Sequence, residues 1–368
     1  MRITDVRVIT LGVPLEKPSG VSADREVNFR GAAFVVIDTD EGIQGIGEGY
    51  GPEYFIIRTI VERKLRPMLV GEDPLDIERL WRKMLLLPLY WDQKGQGISA
   101  ASGVDMALWD LAGKHFGAPV HQLLGGDAQG GKIQAYASDL FWDTPEAMAS
   151  SAGEHVRKGF PAVKTHLGRG LEEDERRVKA LKEAIGDADL MVDINCGYDR
   201  IQALKVGRML EKHGVFWYEE PLSPYDVDGL AFLRSKLDIP IATGENEYTK
   251  WGFKELFLRD AVDYAMPDIM RCGGITETRK ICALAEAFDV AVTPHNYTTG
   301  VGLAATIQLM ACTPNCQLLE YDVTPYPLYE SLLKRPLEFD DRGRVTVPKD
   351  PGLGLEIDQA TIEEYAVD

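Results

Sequence analysis

From about Lys132 the chain repeats one unit: a short β-rich run, a polar residue at its end, a loop, then a stretch with helical spacing. The runs are Ile133–Ser138, Ala162–His166, Leu190–Ile194, Val215–Glu219, Pro240–Glu245, Tyr264–Asp268, Ala291–His295 and Gln317–Tyr321. Charged, amphipathic stretches such as Glu172–Ile185 and Ile201–His213 fall between most of them. Strands alternating with helices at this spacing predict parallel βαβ units. Eight in succession predict a closed (β/α) barrel of TIM type over residues 131–322. The alternative, an open doubly wound sheet, calls for a Gly-x-Gly-x-x-Gly after its first strand, and the sequence has none there.

Residues 1–130 follow a different pattern. Arg2–Leu11, Ala32–Asp38 and Ile43–Gly49 read as antiparallel strands, the last two joined through Thr39-Asp40-Glu41-Gly42. Helical spacing follows over Glu53–Leu69, Pro74–Leu87 and Ala100–Phe116. Strands first and helices afterwards mark a separate α+β domain. The tail, 323–368, lacks the repeat, ends in a strand-like run at Leu353–Ile357, and is expected to fold back onto this first domain.

Composition narrows the function. The net charge of −18 and the lack of any Lys/Arg block exclude a nucleic-acid partner. The sequence holds no apolar stretch of 18 residues and no secretion signal after Met1, so no membrane association and a cytoplasmic location are expected. Five cysteines are too few and too scattered for a disulfide framework. Cys312 and Cys316, four apart on an apolar stretch, read as small buried hydrophobes rather than metal ligands. An anionic substrate must be held by a local cation, because the global field repels it.

The barrel runs end in ionisable groups: Lys164 with His166, then Asp193, Glu219, Glu245, Asp268, His295 and Glu320, each step 23 to 27 residues, about one βα unit. Such residues collect at the C-terminal mouth of a barrel, where active sites sit. Asp193, Glu219 and Glu245 come from three adjacent strands. Their carboxylates repel unless neutralised, either by barrel lysines and arginines or by a hard divalent cation. All-oxygen ligands favour Mg²⁺ over Zn²⁺. Lys164 and His166, two apart on one strand, face the same way. Asp268 beside His295 fixes the imidazole tautomer and raises its basicity. Glu320 either donates a hydrogen bond to a developing oxyanion, if burial keeps it protonated, or supports the other groups. Glu220 is expected to point out of the barrel by strand alternation.

As an ordered set, Lys-x-basic, Asp, Glu, Glu, Asp, His, Glu resembles the mandelate racemase subgroup of the enolase superfamily, over essentially the whole chain. The resemblance implies an N-terminal α+β capping domain (1–130, completed by 323–368) on a modified (β/α)7β barrel, and a homo-oligomer. It implies Mg²⁺ on Asp193, Glu219 and Glu245, and a His295–Asp268 dyad. It also places Ser138, Lys164 and Asn195 at the substrate, with Glu320 opposite Lys164. Segments Lys17–Arg30 and Tyr50–Ile56 of the first domain then close over the substrate. His166 departs from the subgroup, which carries a second lysine at that position. The shared step, α-proton abstraction from a carboxylate to give an enediolate, leads to dehydration of a sugar acid if a β-hydroxyl leaves. It leads to a racemase, epimerase or cycloisomerase if a proton returns; dehydration is the expected outcome and isomerisation the alternative. A metal-free glycosidase using two carboxylates and a non-catalytic binder are the other classes. Lys164, His166 and His295 argue against the binder.

Overall fold

A computed structural model of the protein describes residues 1–20, 26–50, 54–86 and 92–367. The first strands, β1 (Ile3–Gly20), β2 (Glu26–Thr39) and β3 (Gln44–Gly49), form an antiparallel sheet in that order. On β3, a side chain at Gly45 or Gly47 would collide with the backbone of Ala107 or Gly103. The helix Gln96–Phe116 can therefore lie directly on the strand. Period-two alternation turns Glu48, the residue after Gly47, to the other face, toward the barrel.

The repeats form the expected barrel. Its strands are β4 (Lys132–Leu140), β5 (Ala162–His166), β6 (Asp189–Asp193), β7 (Trp217–Glu219), β8 (Ile241–Thr243), β9 (Tyr264–Ala265), β10 (Ala291–Val292) and β11 (Leu319–Asp322). They pair in parallel in the order β10-β9-β8-β7-β6-β5-β4-β11. A parallel bridge between Val292 and Cys316, just ahead of β11, joins the two edges and closes the ring. Seven of the strands are followed by barrel helices, from Pro145–Arg157 to Gly300–Ala311. Local signals start several of these helices: Asp199 accepts from the backbone N–H of Ile201 and Gln202, and Thr144 accepts from Ala147 ahead of a first-turn proline. Below the mouth, Tyr136, Ala162, Met191, Trp217, Ala242 and Met266, one from each of β4 to β8 and one just after β9, pack across the barrel axis as an apolar floor.

The tail differs from expectation. Leu353–Ile357 forms no strand, only a single bridge at Ile357, with another at Gly352 just before it. A short strand, β12 (Arg344–Thr346), instead pairs antiparallel with the start of β4 beneath the barrel. The chain end does return to the first sheet, where Thr10 and Val367 exchange hydrogen bonds.

The sheet domain and barrel meet through buried polar contacts. Glu48 accepts from Thr298 Oγ1, Thr299 Oγ1 (2.7 Å) and the Gly302 N–H (3.0 Å), at the start of the helix that follows β10. Arg30 pairs with Asp322 at 2.7 Å, and Tyr297 and Tyr326 lie on its guanidinium at 4.0 and 3.9 Å. Trp81 and Trp109 donate to Gly273 O and Thr276 Oγ1.

Candidate active site

The polar strand ends converge at the mouth. Carboxylate oxygens of Asp193, Glu219 and Glu245 lie within 4.8 Å of one another. Asp193 and Glu219 are fully buried, and Trp217 of the apolar floor donates its indole N–H to Glu219 at 3.0 Å. Lys164 Nζ is 2.8 Å from Glu219, 2.5 Å from Glu320 and 3.9 Å from Asp193. Burial alone would strip the charge from this ammonium, but Glu219 and Glu320 outweigh it and raise its pKa well above the usual range. Burial, together with their acidic neighbours, pushes Asp193 and Glu219 upward.

His166 also faces the mouth. Its Nδ1 is 2.9 Å from Asn195 Oδ1 and 3.6 Å from Asp193, while Asn195 donates to Asp193 from both its backbone (2.7 Å) and side chain (2.8 Å). Phe141 stacks on the His166 imidazole, with ring centres 5.3 Å apart. On the other flank His295 Nδ1 lies 2.7 Å from Asp268, and its Nε2 lies 3.0 Å from Glu245. Asp268 is held in turn by the Met270 N–H at 2.8 Å. Burial lowers the His295 pKa, yet Glu245, Glu320 and Asp268 more than compensate and take it to about 10.

Ser138 donates to Glu320 Oε1 at 2.6 Å, and the Asn296 N–H donates to Oε2 at 2.8 Å. Although burial opposes it, Lys164 and His295 draw the Glu320 pKa down to about 2. It is an ionised acceptor here, so of the two roles open to it the protonated oxyanion donor is the one this arrangement disfavours. Glu220 corrects the alternation argument. It follows the last residue of β7 with φ +39°, leaves the extended conformation, and turns inward instead of out. There it is 1% exposed and accepts from Cys196 Sγ at 3.1 Å and from Asn246 Nδ2 at 2.8 and 3.0 Å. Burial and the charges of Glu245 and Asp193 push its pKa to about 8.

Six carboxylates (Asp193, Glu219, Glu220, Glu245, Asp268 and Glu320) are linked through these contacts. Among the described residues the cations set against them are Lys164, Arg271, which is 3.8 Å from Glu245, and the protonated His295. Pairing with basic residues therefore leaves an excess of negative charge, and an all-oxygen donor set suits a hard divalent cation. The residues fit the metal that the resemblance implies.

Residues 3–125 match the model of the mandelate racemase/muconate lactonizing enzyme N-terminal domain, and residues 147–361 match the enolase C-terminal domain-like model. The chain belongs to the mandelate racemase subgroup of the enolase superfamily. Within that subgroup it is 36% identical to a D-galactarolactone cycloisomerase of Agrobacterium fabrum, covering 99% of both chains. It is 35% identical to an arabinonate dehydratase of Saccharolobus solfataricus, covering 89% of each. Other relatives are also named as dehydratases of sugar acids. Among solved structures, a racemase from Streptomyces coelicolor with bound magnesium superposes with a TM-score of 0.90 at 30% identity, over 99% of this chain and all of that one.

Sequence reading missed Glu48, Arg30, Arg271 and Asn246, which carry no periodic signal and meet their partners only in the fold. Of the two closing segments, residues 21–25 and 51–53 lie outside the described residues. A groove of about 710 Å³ opens beside the site, lined by Lys94, Tyr225, Glu247, Tyr248 and Trp251 among others. Neither the triad nor Lys164, His166 or His295 lines it, so the chemistry is assigned to the polar mouth.

Proposed function

We propose that the protein dehydrates a sugar acid, removing the proton next to the carboxylate and then the β-hydroxyl. The observation that supports this best is the placement of two proton-handling groups, the His295–Asp268 dyad and the Lys164–His166 pair, on opposite flanks of one three-carboxylate cluster. A single carbon held over the cluster is then within reach of a base on either side.

In this reading Asp193, Glu219 and Glu245 hold Mg²⁺, which when bound supplies positive charge that favours the enediolate over the carboxylate. Lys164 and Ser138 receive the substrate carboxylate, with Glu320 keeping both oriented. Asn195 orients His166 and offers its amide to a substrate hydroxyl. A base takes the α-proton, the C–H electrons form the carbon–carbon double bond, and the β C–O bond breaks. His295 is that base or the acid that protonates the departing hydroxide, so water leaves and the enol becomes a 2-keto acid. The cap is residues 1–130 completed by 323–368, and the barrel is 131–322.

One observation favours a second reading. His166 replaces the second lysine, and a relative at 36% identity is a cycloisomerase. In that case a proton returns to the enediolate and no water is lost. A panel of sugar acids and sugar lactones with Mg²⁺ in D₂O separates the two. Dehydration is expected to give a keto acid, whereas α-deuteration or ring opening without keto acid supports the cycloisomerase.

A further inference from the structure

Asn246 follows Glu245 and lies behind the cluster. Its Nδ2 is 3.1 Å from Glu245 Oε1 and 3.0 and 2.8 Å from the two oxygens of Glu220. Its Oδ1 accepts from Arg271 Nη2 at 2.8 Å. Arg271 fixes which way the amide faces, because a guanidinium only donates: the oxygen must face Arg271 and Nδ2 the two carboxyl groups. Arg271 is itself held. Its guanidinium lies 4.9 Å from the ring of Tyr50 and 5.9 Å from that of Tyr248, and the Tyr50 N–H donates to Met270 O.

The other partner is equally constrained. Glu220 is buried at a left-handed backbone position, and Asn195 and Cys196 on the neighbouring strand end are left-handed as well, at φ +46° and +63°. A non-glycine residue in that region is strained, because its Cβ crowds the following carbonyl oxygen. Three of them side by side hold only because they are bonded in place, Cys196 N–H to Glu220 O at 2.8 Å and Glu220 N–H to Ala242 O at 3.0 Å. That turn is what aims the Glu220 carboxylate at Asn246.

Glu245 thus has one oxygen toward Asn246 and Arg271 and the other toward His295. We propose that Asn246 is a positioning residue for the divalent cation: its amide, clamped between Arg271 and Glu220, sets the rotation of the Glu245 carboxylate and so the affinity of the metal site. The proposal rests on the metal reading above. It adds a residue that touches neither cation nor substrate, and partners of this kind alter metal affinity about 10- to 100-fold when removed.

The test is Mn²⁺ binding to the full-length protein, by calorimetry and by loss of the free-ion EPR signal, in wild type, Asn246→Ala and Asn246→Ser. Both variants are expected to bind Mn²⁺ about 10- to 100-fold more weakly. The melting temperature of the metal-free protein should stay near that of wild type, since the change is at a site and not in the core. The serine variant keeps a small polar group and carries the test if the alanine variant does not fold. Wild-type affinity in a folded variant overturns the role of Asn246 and leaves the metal site standing. Absence of Mn²⁺ uptake by the wild type overturns the metal reading, and this inference with it.

Discussion

Replacing His295 by asparagine tests the proton chemistry most directly. The shorter amide side chain can still fill the space beside Asp268, but it has no basic nitrogen. A positioned general acid or base contributes about 10²- to 10⁴-fold, or about 3 to 5 kcal/mol at 1.36 kcal/mol per tenfold. The geometry sets where in that range the loss falls. Asp268 lies 2.7 Å from Nδ1 and is itself fixed by the Met270 N–H, so the imidazole is held in one orientation, with Nε2 at the mouth beside Glu245; a cation on the three acids would neutralise Glu245 and free Nε2 to exchange its proton with substrate. A group so well oriented is expected to sit near the top, and His295→Asn should lower kcat about 10³- to 10⁴-fold. Asp268→Asn keeps the ring but lets the amide donate to Nδ1, which moves the proton to Nε2 and blocks the lone pair. It should cost less, about 10²-fold, because a fraction of rings still adopts the working tautomer. The assay is keto-acid formation from the best sugar acid of the panel, alongside α-deuterium exchange in D₂O and calorimetric titration with Mg²⁺. Both variants should still take up Mg²⁺, since neither residue is assigned as a ligand, with the weaker binding in His295→Asn, which loses the 3.0 Å contact to Glu245. If His295→Asn turns over within a few-fold of wild type, the dyad is structural and the base lies on β5.

Exhaustive EDTA treatment should abolish turnover and Mg²⁺ should restore it, while Glu219→Gln should lose both metal binding and activity; full activity after chelation would revive the glycosidase class. His166→Ala should lose α-exchange on the face that His295 does not reach, and His166→Lys should lose most activity because a longer group enters a pocket shaped by the stacked Phe141 ring. Wild-type dehydration by His166→Ala would reduce His166 to a packing residue and leave two-base racemisation untenable. Asp105 gives a pH prediction: burial raises this carboxyl to about 7 from an ordinary value of 3.8. An acid with a raised folded pKa stabilises the fold fully below its unfolded pKa and progressively less as pH rises through the folded one. Asp105→Asn should therefore gain on wild type between about pH 4 and 7, by up to about 4 kcal/mol at 1.36 kcal/mol per pKa unit. Urea unfolding at pH 5 and pH 8 checks it, and a constant gap refutes the burial argument.

The barrel and its row of acids were legible because period and position coincide: one polar residue per βα unit, always at the strand's end. Where the ladder stops was less so. The runs ending at Glu245, Asp268 and His295 pair only as far as Thr243, Ala265 and Val292, since the last residues leave the sheet to converge over the mouth. Glu220 was misread for the same reason, as alternation holds only while the chain is extended. Arg344–Thr346 is too short and polar to stand out, and its partner on β4 lies more than half the chain away. Glu48 and Thr298 are 250 residues apart, and nothing local in either segment marks a contact that only the docking of two domains creates.

That contact has a consequence for anyone exchanging parts between relatives. Thr298 and Thr299 sit three and four residues beyond His295, and both are tied to Glu48 on β3, while Arg30 on β2 donates to Thr298 O at 3.4 Å and lies against Tyr297. The domain expected to choose the substrate is therefore also a splint for the segment that carries His295. A chimera that imports a foreign cap to change specificity must bring a carboxylate and a guanidinium to these two places. Without them the transplanted enzyme is expected to bind its new substrate and turn it over slowly.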